Sequence, residues 1–238
     1  MKVRKIEIIK SLGAFITAVA GVLVLIYIAF FSAVMNDSFL EKVNIRIGTH
    51  EKLGMSEEDL GKVARSMIYF TKGESDVLQV RVTMNGVERD FYNEKELLHI
   101  EDVRDLVREV RIFITVCGIV FVTGSIWAIW SKNVHKLAKG FLVGLGLVII
   151  LAAVVGVIAV IDMQAVIYGF HNLFFDNDLW LLDSRTDMVI WLFSHEMYGS
   201  AIARIGMWLA CLLVPFTVAS VIAIKKHRKC IGKETAEV

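Results

Sequence analysis

The sequence predicts an all-α integral membrane protein, four transmembrane helices carrying a small extracellular α+β cap. Three observations lead there. The 238-residue chain is 56% hydrophobic, with a mean hydropathy of +0.61, above the ~45–50% apolar content of soluble domains. Four stretches free of charged residues are each long enough to cross a ~30 Å hydrocarbon layer, which takes ~20 helical residues. Between them lie two polar segments, one with alternating strand and helix patterns and one dense in aromatic rings.

The four stretches, the last being 205–224 extended back past Arg204, define spans at 11–36, 112–131, 140–161 and 201–224. Lipid offers no hydrogen-bond partners to a bare backbone, and none of the four has the alternating pattern of a barrel strand, so all are helices. Pro215 falls inside the fourth and predicts a kink. The first apolar run is about 25 residues, beyond the ~7–15 of a signal peptide's apolar region, and is read as retained.

Lysine and arginine set the orientation. Segment 1–10 has four, segment 132–139 three and no acid, and segment 225–238 five, whereas segment 162–200 has Arg185 alone against six acids. Both termini are therefore expected in the cytoplasm, with 37–111 and 162–200 on the outer side of a bacterial cytoplasmic membrane. Cys117 and Cys211 fall within spans and Cys230 in the tail, so no disulfide framework is expected. A net charge of +1 gives no reason to expect a nucleic-acid partner, and membrane lipid is the partner that composition implies.

Segment 37–111 divides by its periodicity. In MSEEDLGKVARSMIYFTKG, Ser56 is placed to cap a helix whose apolar face is Leu60, Val63, Ala64 and Met67, with Gly73 as its stop. The period then changes to two across Leu78, Val80, Val82 and Met84, and Asn85-Gly86 marks a two-residue hairpin turn. Asn93 with Glu96 forms a capping box for a helix running toward the second span. His99 sits on that helix, with Glu96 at i−3 and Asp102 at i+3. It reads either as a histidine paired with a surface acid or as a base oriented by a carboxylate. An unbroken helix from His99 to Ile112 stands the ring ~20 Å beyond the apolar boundary at ~1.5 Å per residue, so a membrane-level role calls for a bend around residues 104–111.

Segment 162–200 carries eight aromatic residues in 39, against 10% in the chain. Such rings favour the headgroup level, which predicts an interfacial or re-entrant element. Polar side chains there are held for pairing or for chemistry. Asp183 to Asp187 reads as a helix start before the apolar run 188–193. His171 reads either as buried and satisfied or as catalytic. HEMYG at 195–199 begins like a zinc-protease motif, but Gly199 stands where its second histidine belongs. No Cys-x-x-Cys, phosphate loop or Gly-x-Ser-x-Gly occurs. A metal held by His99, His171 and aspartates is conceivable, though the spacing does not demand one.

Taken together, ELLHIEDVR at 96–104 and GFHNLFFDNDLWLLDSRTDMVI at 169–190, set between four spans in this order, closely resemble the lipoprotein intramolecular transacylase (Lit) family of Gram-positive bacteria. The resemblance implies two catalytic histidines, corresponding by motif to His99 and His171, acting where cap and membrane meet. It implies a diacylated lipoprotein substrate, whose acyl chain moves from the glyceryl sn-2 oxygen to the amine of the N-terminal cysteine to give a lyso-form product. No cofactor, metal or external acyl donor is needed. The chain departs from the family pattern at Ser184, where proline commonly follows the aspartate, and at Ser194-His195-Glu196.

Histidine titrates in the range needed to take a proton from an α-amine of pKa ~7.7–8 and return it to a departing oxygen. His99 is the expected base, with Asp102 or Glu96 fixing its tautomer, and His171 the expected oxyanion or leaving-oxygen partner, assisted by Asn172; the roles are exchangeable. Tyr168, Phe170, Phe174, Phe175 and Trp180 are expected to wall a lipid-filled chamber. Arg104, Asp176, Asp183 and Asp187 are expected to support the site or anchor the cap. A metal-dependent lipid hydrolase and a non-enzymatic envelope sensor are the competing readings. Gly140, Gly144 and Gly146 permit close helix packing within one bundle or between chains, so the oligomeric state is open.

Overall fold

A computed structural model describes residues 2–234; the ends of the expected cytoplasmic segments 1–10 and 225–238 lie outside them. Its elements in chain order are α1 (Lys2–Val34), α2 (Asp37–Arg46), α3 (Thr49–Leu53), α4 (Glu57–Lys72), β1 (Arg81–Met84), β2 (Val87–Asp90), α5 (Glu94–Trp130), α6 (Val134–Ile161), α7 (Met163–Phe174), a 3-10 turn (Val189–Leu192) and α8 (His195–Glu234). Four of these, α1, α5, α6 and α8, are long and apolar enough to cross a membrane. The chain forms two compact units, one of Met1–Ala29, Ile112–Val166 and Leu209–Val238, the other of Phe30–Arg111 and Ile167–Trp208.

The first unit is the helix bundle. Its large apolar side chains, among them Ile112, Ile119, Ile150 and Val218, are mostly exposed. That arrangement is stable only where the solvent is hydrocarbon. α1 lies deepest: 44% of its most apolar window is buried, against 17% for α6, 6% for α5 and none for α8. Small residues explain why. A Cβ on Gly140 would stand 3.0 Å from the Phe15 Cα and 3.1 Å from the Ala18 Cβ, and Gly144 meets Val19. The Gly146 position has nothing within 4 Å. Two of the three glycines thus serve packing inside the bundle, where without a hydrophobic drive close backbone approach supplies the attraction. The turn between α5 and α6 occupies only 131–133, shorter than the expected 132–139 loop, because the left-handed Lys132 (φ 55°) lets the Asn133 N–H return to the Ala128 carbonyl at 2.8 Å. α8 continues as a helix through Pro215.

The second unit is a helix-rich fold around one core. Ser56 caps α4, its hydroxyl accepting from the Asp59 N–H at 3.0 Å, and Gly73 ends it at φ 72°. Leu60, Val63, Ala64 and Met67 face inward against Phe39, Leu40, Val43, Phe91 and Ile100. β1 and β2 pair antiparallel with Met84 opposite Val87, and Asn85 and Gly86 take positive φ of 52° and 80°, the two-residue turn that matches strand twist. The ladder starts only at Arg81, since Gln79 uses its side-chain amide to hold both backbone groups of Tyr92. α2 and α3 are additional to the sequence reading. Asn36 is the N-cap of α2, accepting from the Phe39 N–H at 2.9 Å, and not the end of the first span.

α5 is a single 37-residue helix, unbroken through 104–111, where a membrane-level role for His99 would have called for a bend. No proline interrupts it and no glycine precedes Gly118, and the charged turns support one another, with Arg108 3.1 Å from Asp105. The apolar surface near His99 comes instead from α7, whose Phe170, Leu173 and Phe174 are exposed.

Candidate active site

The first turns of α5 do two things at once. The reciprocal capping box closes as expected: Asn93 N–H to Glu96 Oε2 at 2.8 Å, and Glu96 N–H to Asn93 Oδ1 at 2.9 Å. The other carboxylate oxygen of Glu96, Oε1, accepts the Val189 N–H at 2.7 Å. Asn93 donates 2.8 Å to Asp187, and the Lys95 ammonium donates to the Leu181 carbonyl. One turn further on, Asp102 accepts 2.9 Å from Asn177. The α5 N-terminus therefore grips the 175–192 loop at several points while presenting His99 between them.

His99 is 9% exposed and faces rings: its centroid is 5.8 Å from that of His171 and 5.6 Å from that of Phe175. Neither Glu96 nor Asp102 hydrogen-bonds it, so the expected carboxylate orientation of this imidazole is not made; both acids are committed to the distant loop instead. Its Nδ1 is buried without a partner. His99 belongs to the charged part of α5 that precedes the apolar segment from Ile112. Burial there, reinforced by the neighbouring His171, pushes its pKa down to about 4 against a weaker upward pull from Asp102.

His171 lies on α7 and is half-buried. Its Nδ1 is 2.7 Å from the Ile167 carbonyl one turn earlier. A carbonyl only accepts, so Nδ1 carries the proton and Nε2 is the acceptor of the neutral ring. The imidazole stacks on Trp180 (4.7 Å, 23°) and meets Phe170 and Phe175 at 5.5 and 5.7 Å. Tyr168 stands edge-on to Trp180 at 5.0 Å, and Phe174 backs Phe170 at 4.9 Å. All five expected aromatic residues thus join one ring cluster around the imidazoles.

The polar candidates separate from the site. Asn172 and Asp176 are exposed and bond neither imidazole among the described residues. Arg104 pairs with Asp76 at 2.6 Å and lies 4.5 Å over Phe70, bracing α5 against the end of α4. Asp183 is half-buried, and the hydrogen bonds of Arg185 hold its carboxyl down at about 2. No α-helix begins at Asp183. The 183–187 segment is a turn closed by the Asp183 N–H to Asp187 at 2.7 Å, and a 3-10 turn follows. Burial works against the ionised form of Asp187, yet donors from Asp183, Asn93 and Thr186 hold its pKa below the usual range. It is an anchor for the loop.

Asn44 had not stood out in the sequence. Asn44 is fully buried, donating to the Leu40 and Leu192 carbonyls at 3.0 and 3.2 Å and accepting from Thr49 at 2.8 Å. Asn177 ties the loop to Asp102. Among the described residues no group of three or more His, Cys, Asp or Glu side chains is arranged to hold a metal ion, which leaves the metal-hydrolase reading without a ligand set.

Four helices long and apolar enough to cross a membrane, joined to a unit in which two imidazoles pack in an aromatic cluster, define the class as a membrane-integral protein with a candidate active site. Comparison with known proteins makes this specific. The profile of the lipoprotein intramolecular transacylase Lit family matches residues 15–198, and the chain belongs to that family, whose activity is intramolecular acyl transfer in lipoproteins. Solved structures of Lit from Bacillus cereus share the fold. One aligns at TM-score 0.71, covering 96% of this chain and 98% of that one; histidine-to-arginine and histidine-to-alanine variants align at 0.75 and 0.70, all at 15% identity. Among curated proteins, none matches.

Proposed function

We propose that His171 and His99 catalyse the shift of the sn-2 acyl chain of a diacylated lipoprotein onto the α-amine of its N-terminal cysteine. The observation that carries this reading is the His171 tautomer, in an imidazole packed among aromatic rings: Nδ1 donates to the Ile167 carbonyl, which leaves Nε2 as the acceptor. The base role goes to His171, reversing the sequence-based assignment, because the carboxylates that argued for His99 bond elsewhere. His99, neutral and buried with an uncommitted Nδ1, is the partner.

In the reaction the amine nitrogen attacks the ester carbon, and His171 Nε2 takes the amine proton. The oxyanion that forms is stabilised by the His99 N–H. Collapse breaks the bond to the glyceryl oxygen, which receives the proton from His171, leaving an amide and a free hydroxyl. With centroids 5.8 Å apart, both imidazoles lie near enough to act on one reacting group. Attack closes a medium ring through cysteine and glycerol, so confinement in a near-attack geometry is the larger contribution, up to roughly 7–11 kcal/mol, with acid–base help worth ~10²–10⁴-fold. The uneven distribution of lysine and arginine supports cytoplasmic termini, an outer cap made of 37–111 and 162–200, and a site at the outer leaflet.

Single replacements His99→Ala and His171→Ala, with mass spectrometry of the N-terminus of a co-expressed lipoprotein, test this. Loss of the lyso-form in each is expected. Lyso-lipoprotein unchanged in either variant refutes the assignment.

A further inference from the structure

α2 and the first turns of α8 border a cavity of about 780 Å³ that shares no residue with the histidine site. Three cations meet there: Lys42 and Arg46, one turn apart on α2, and Arg204 on α8. Among the described residues none of them forms an ion pair. The acids of the neighbouring α2 turns are used elsewhere, Glu41 on Arg65 at 3.0 Å and Asp37 on the Tyr69 hydroxyl at 3.2 Å. Arg46 donates to the Ser200 hydroxyl at 2.9 Å. The Arg204 guanidinium lies 4.8 Å from the Phe39 ring centre, with its Nε buried and unpartnered.

Such an arrangement is unfavourable as it stands. Like charges a helical turn apart repel, and the buried Arg204 Nε has given up water without gaining an acceptor. Cations on or beside a membrane-spanning helix are expensive to place and mark binding sites by default. What the cluster lacks is an anion. The rest of the wall sets the apolar Phe39, Val43, Ala203 and exposed Met207 beside the polar Asn36, Ser38 and Ser200, so an occupant that joins an anionic, oxygen-rich head to an apolar body matches it. Guanidinium forks match the paired oxygens of a phosphate, and the volume falls within the ~300–1,000 Å³ of small-molecule sites.

We propose that this cavity binds the phosphate of an anionic phospholipid headgroup, with Lys42, Arg46 and Arg204 as its ligands. The site is independent of the acyl-transfer reading and uses none of its residues.

The test is retention of fluorescent phosphatidylglycerol by the purified full chain, against phosphatidylcholine. Wild type should prefer phosphatidylglycerol. The double substitution Lys42→Gln/Arg46→Gln, at two exposed positions, should weaken retention about 25-fold, at about fivefold per cation. Arg204→Lys, which keeps the charge but not the fork, should weaken it less than Arg204→Gln. Equal retention of the two lipids, or no change in the double variant, overturns the proposal. Displacement of the lipid by millimolar inorganic phosphate would reassign the site to the free anion. Displacement by an acidic lipopeptide, with the variants losing only the lipopeptide, would reassign it to a peptide.

Discussion

Glu96→Gln tests how the site is held together. Glu96 is 1% exposed, and each of its carboxylate oxygens accepts one backbone N–H, from Asn93 at 2.8 Å and from Val189 at 2.7 Å. Glutamine has one acceptor oxygen, and its amide turns N–H donors toward whichever backbone N–H remains. That orphaned donor costs ~1–3 kcal/mol, and the surviving bond drops from charge-assisted to neutral for about 1 kcal/mol more. A total near ~3 kcal/mol corresponds to an opening equilibrium shifted by about 150-fold. The shift is local, because one end of the contact is α5 and the other the 189–192 turn. Hydrogen exchange at the Val189 amide, followed by mass spectrometry in micelles, reads it directly. Faster exchange across 183–192, with exchange in α4 unchanged, is expected, together with a loss of acyl transfer although no histidine is altered. Wild-type protection at Val189 in the variant would refute the claim that this carboxylate holds the loop to the α5 N-terminus.

Further outcomes follow from the same geometry. Because the folded pKa of His99 is lowered to about 4 from 6.5, the unfolded chain binds the extra proton between those values, so stability should rise with pH across about 4 to 6.5 and fall on acidification; His99→Gln should flatten thermal-stability scans in that window. Trp180→Ala removes the ring stacked on His171 at 4.7 Å and should cut activity more than Trp180→Phe, measured as the lyso fraction of a co-expressed lipoprotein. Asn44→Leu leaves the Leu192 carbonyl and the Thr49 hydroxyl without their partner and should destabilise by roughly 2–3 kcal/mol, seen as a lower Tm. In the bundle, Gly140→Leu meets the α1 backbone at 3.0 Å and should lower Tm, whereas Gly146→Leu, with open space within 4 Å, should not.

What was legible in the sequence was local. Ser56, Gly73, Asn85-Gly86 and the Asn93/Glu96 box each act on backbone a few residues away, so spacing alone defined them. α2 escaped because Asn36 ends an uncharged run and was assigned to the span; the signal was Asn36-Asp37 ahead of Phe39, Leu40 and Val43. At the site, the motifs and the concentration of rings identified the histidines and their aromatic neighbours. The carboxylates misled for a definite reason. Glu96 and Asp102 do flank His99 by three residues on either side, but partners 93 and 75 positions away, Val189 and Asn177, claimed them. Local spacing carries no information about such competition. The Ile167 bond to His171 was hidden differently: an i−4 carbonyl is available only in a helix, and 163–174 had been read as an interfacial loop.

The competition also explains how two rings some seventy positions apart can be held in register. A carboxylate bonded to His99 would fix that ring, yet leave the 175–192 loop without anchors. Spending Glu96, Asn93, Lys95 and Asp102 on the loop ties Trp180, and through its stack His171, to the same two turns of α5 that carry His99. The two imidazoles are then positioned by apolar rings and a backbone carbonyl, and among the described residues no ionised side chain is hydrogen-bonded to either. Such surroundings suit the proposed acyl shift: an unpaired carboxylate at the site would need water to solvate it, and water would compete with the amine for the ester. An acid introduced next to the pair, as in Phe175→Glu, should therefore raise the hydrolysed fraction of lipoprotein at the expense of the lyso-form. An unchanged ratio of the two products in that variant would remove water exclusion from the account of the mechanism.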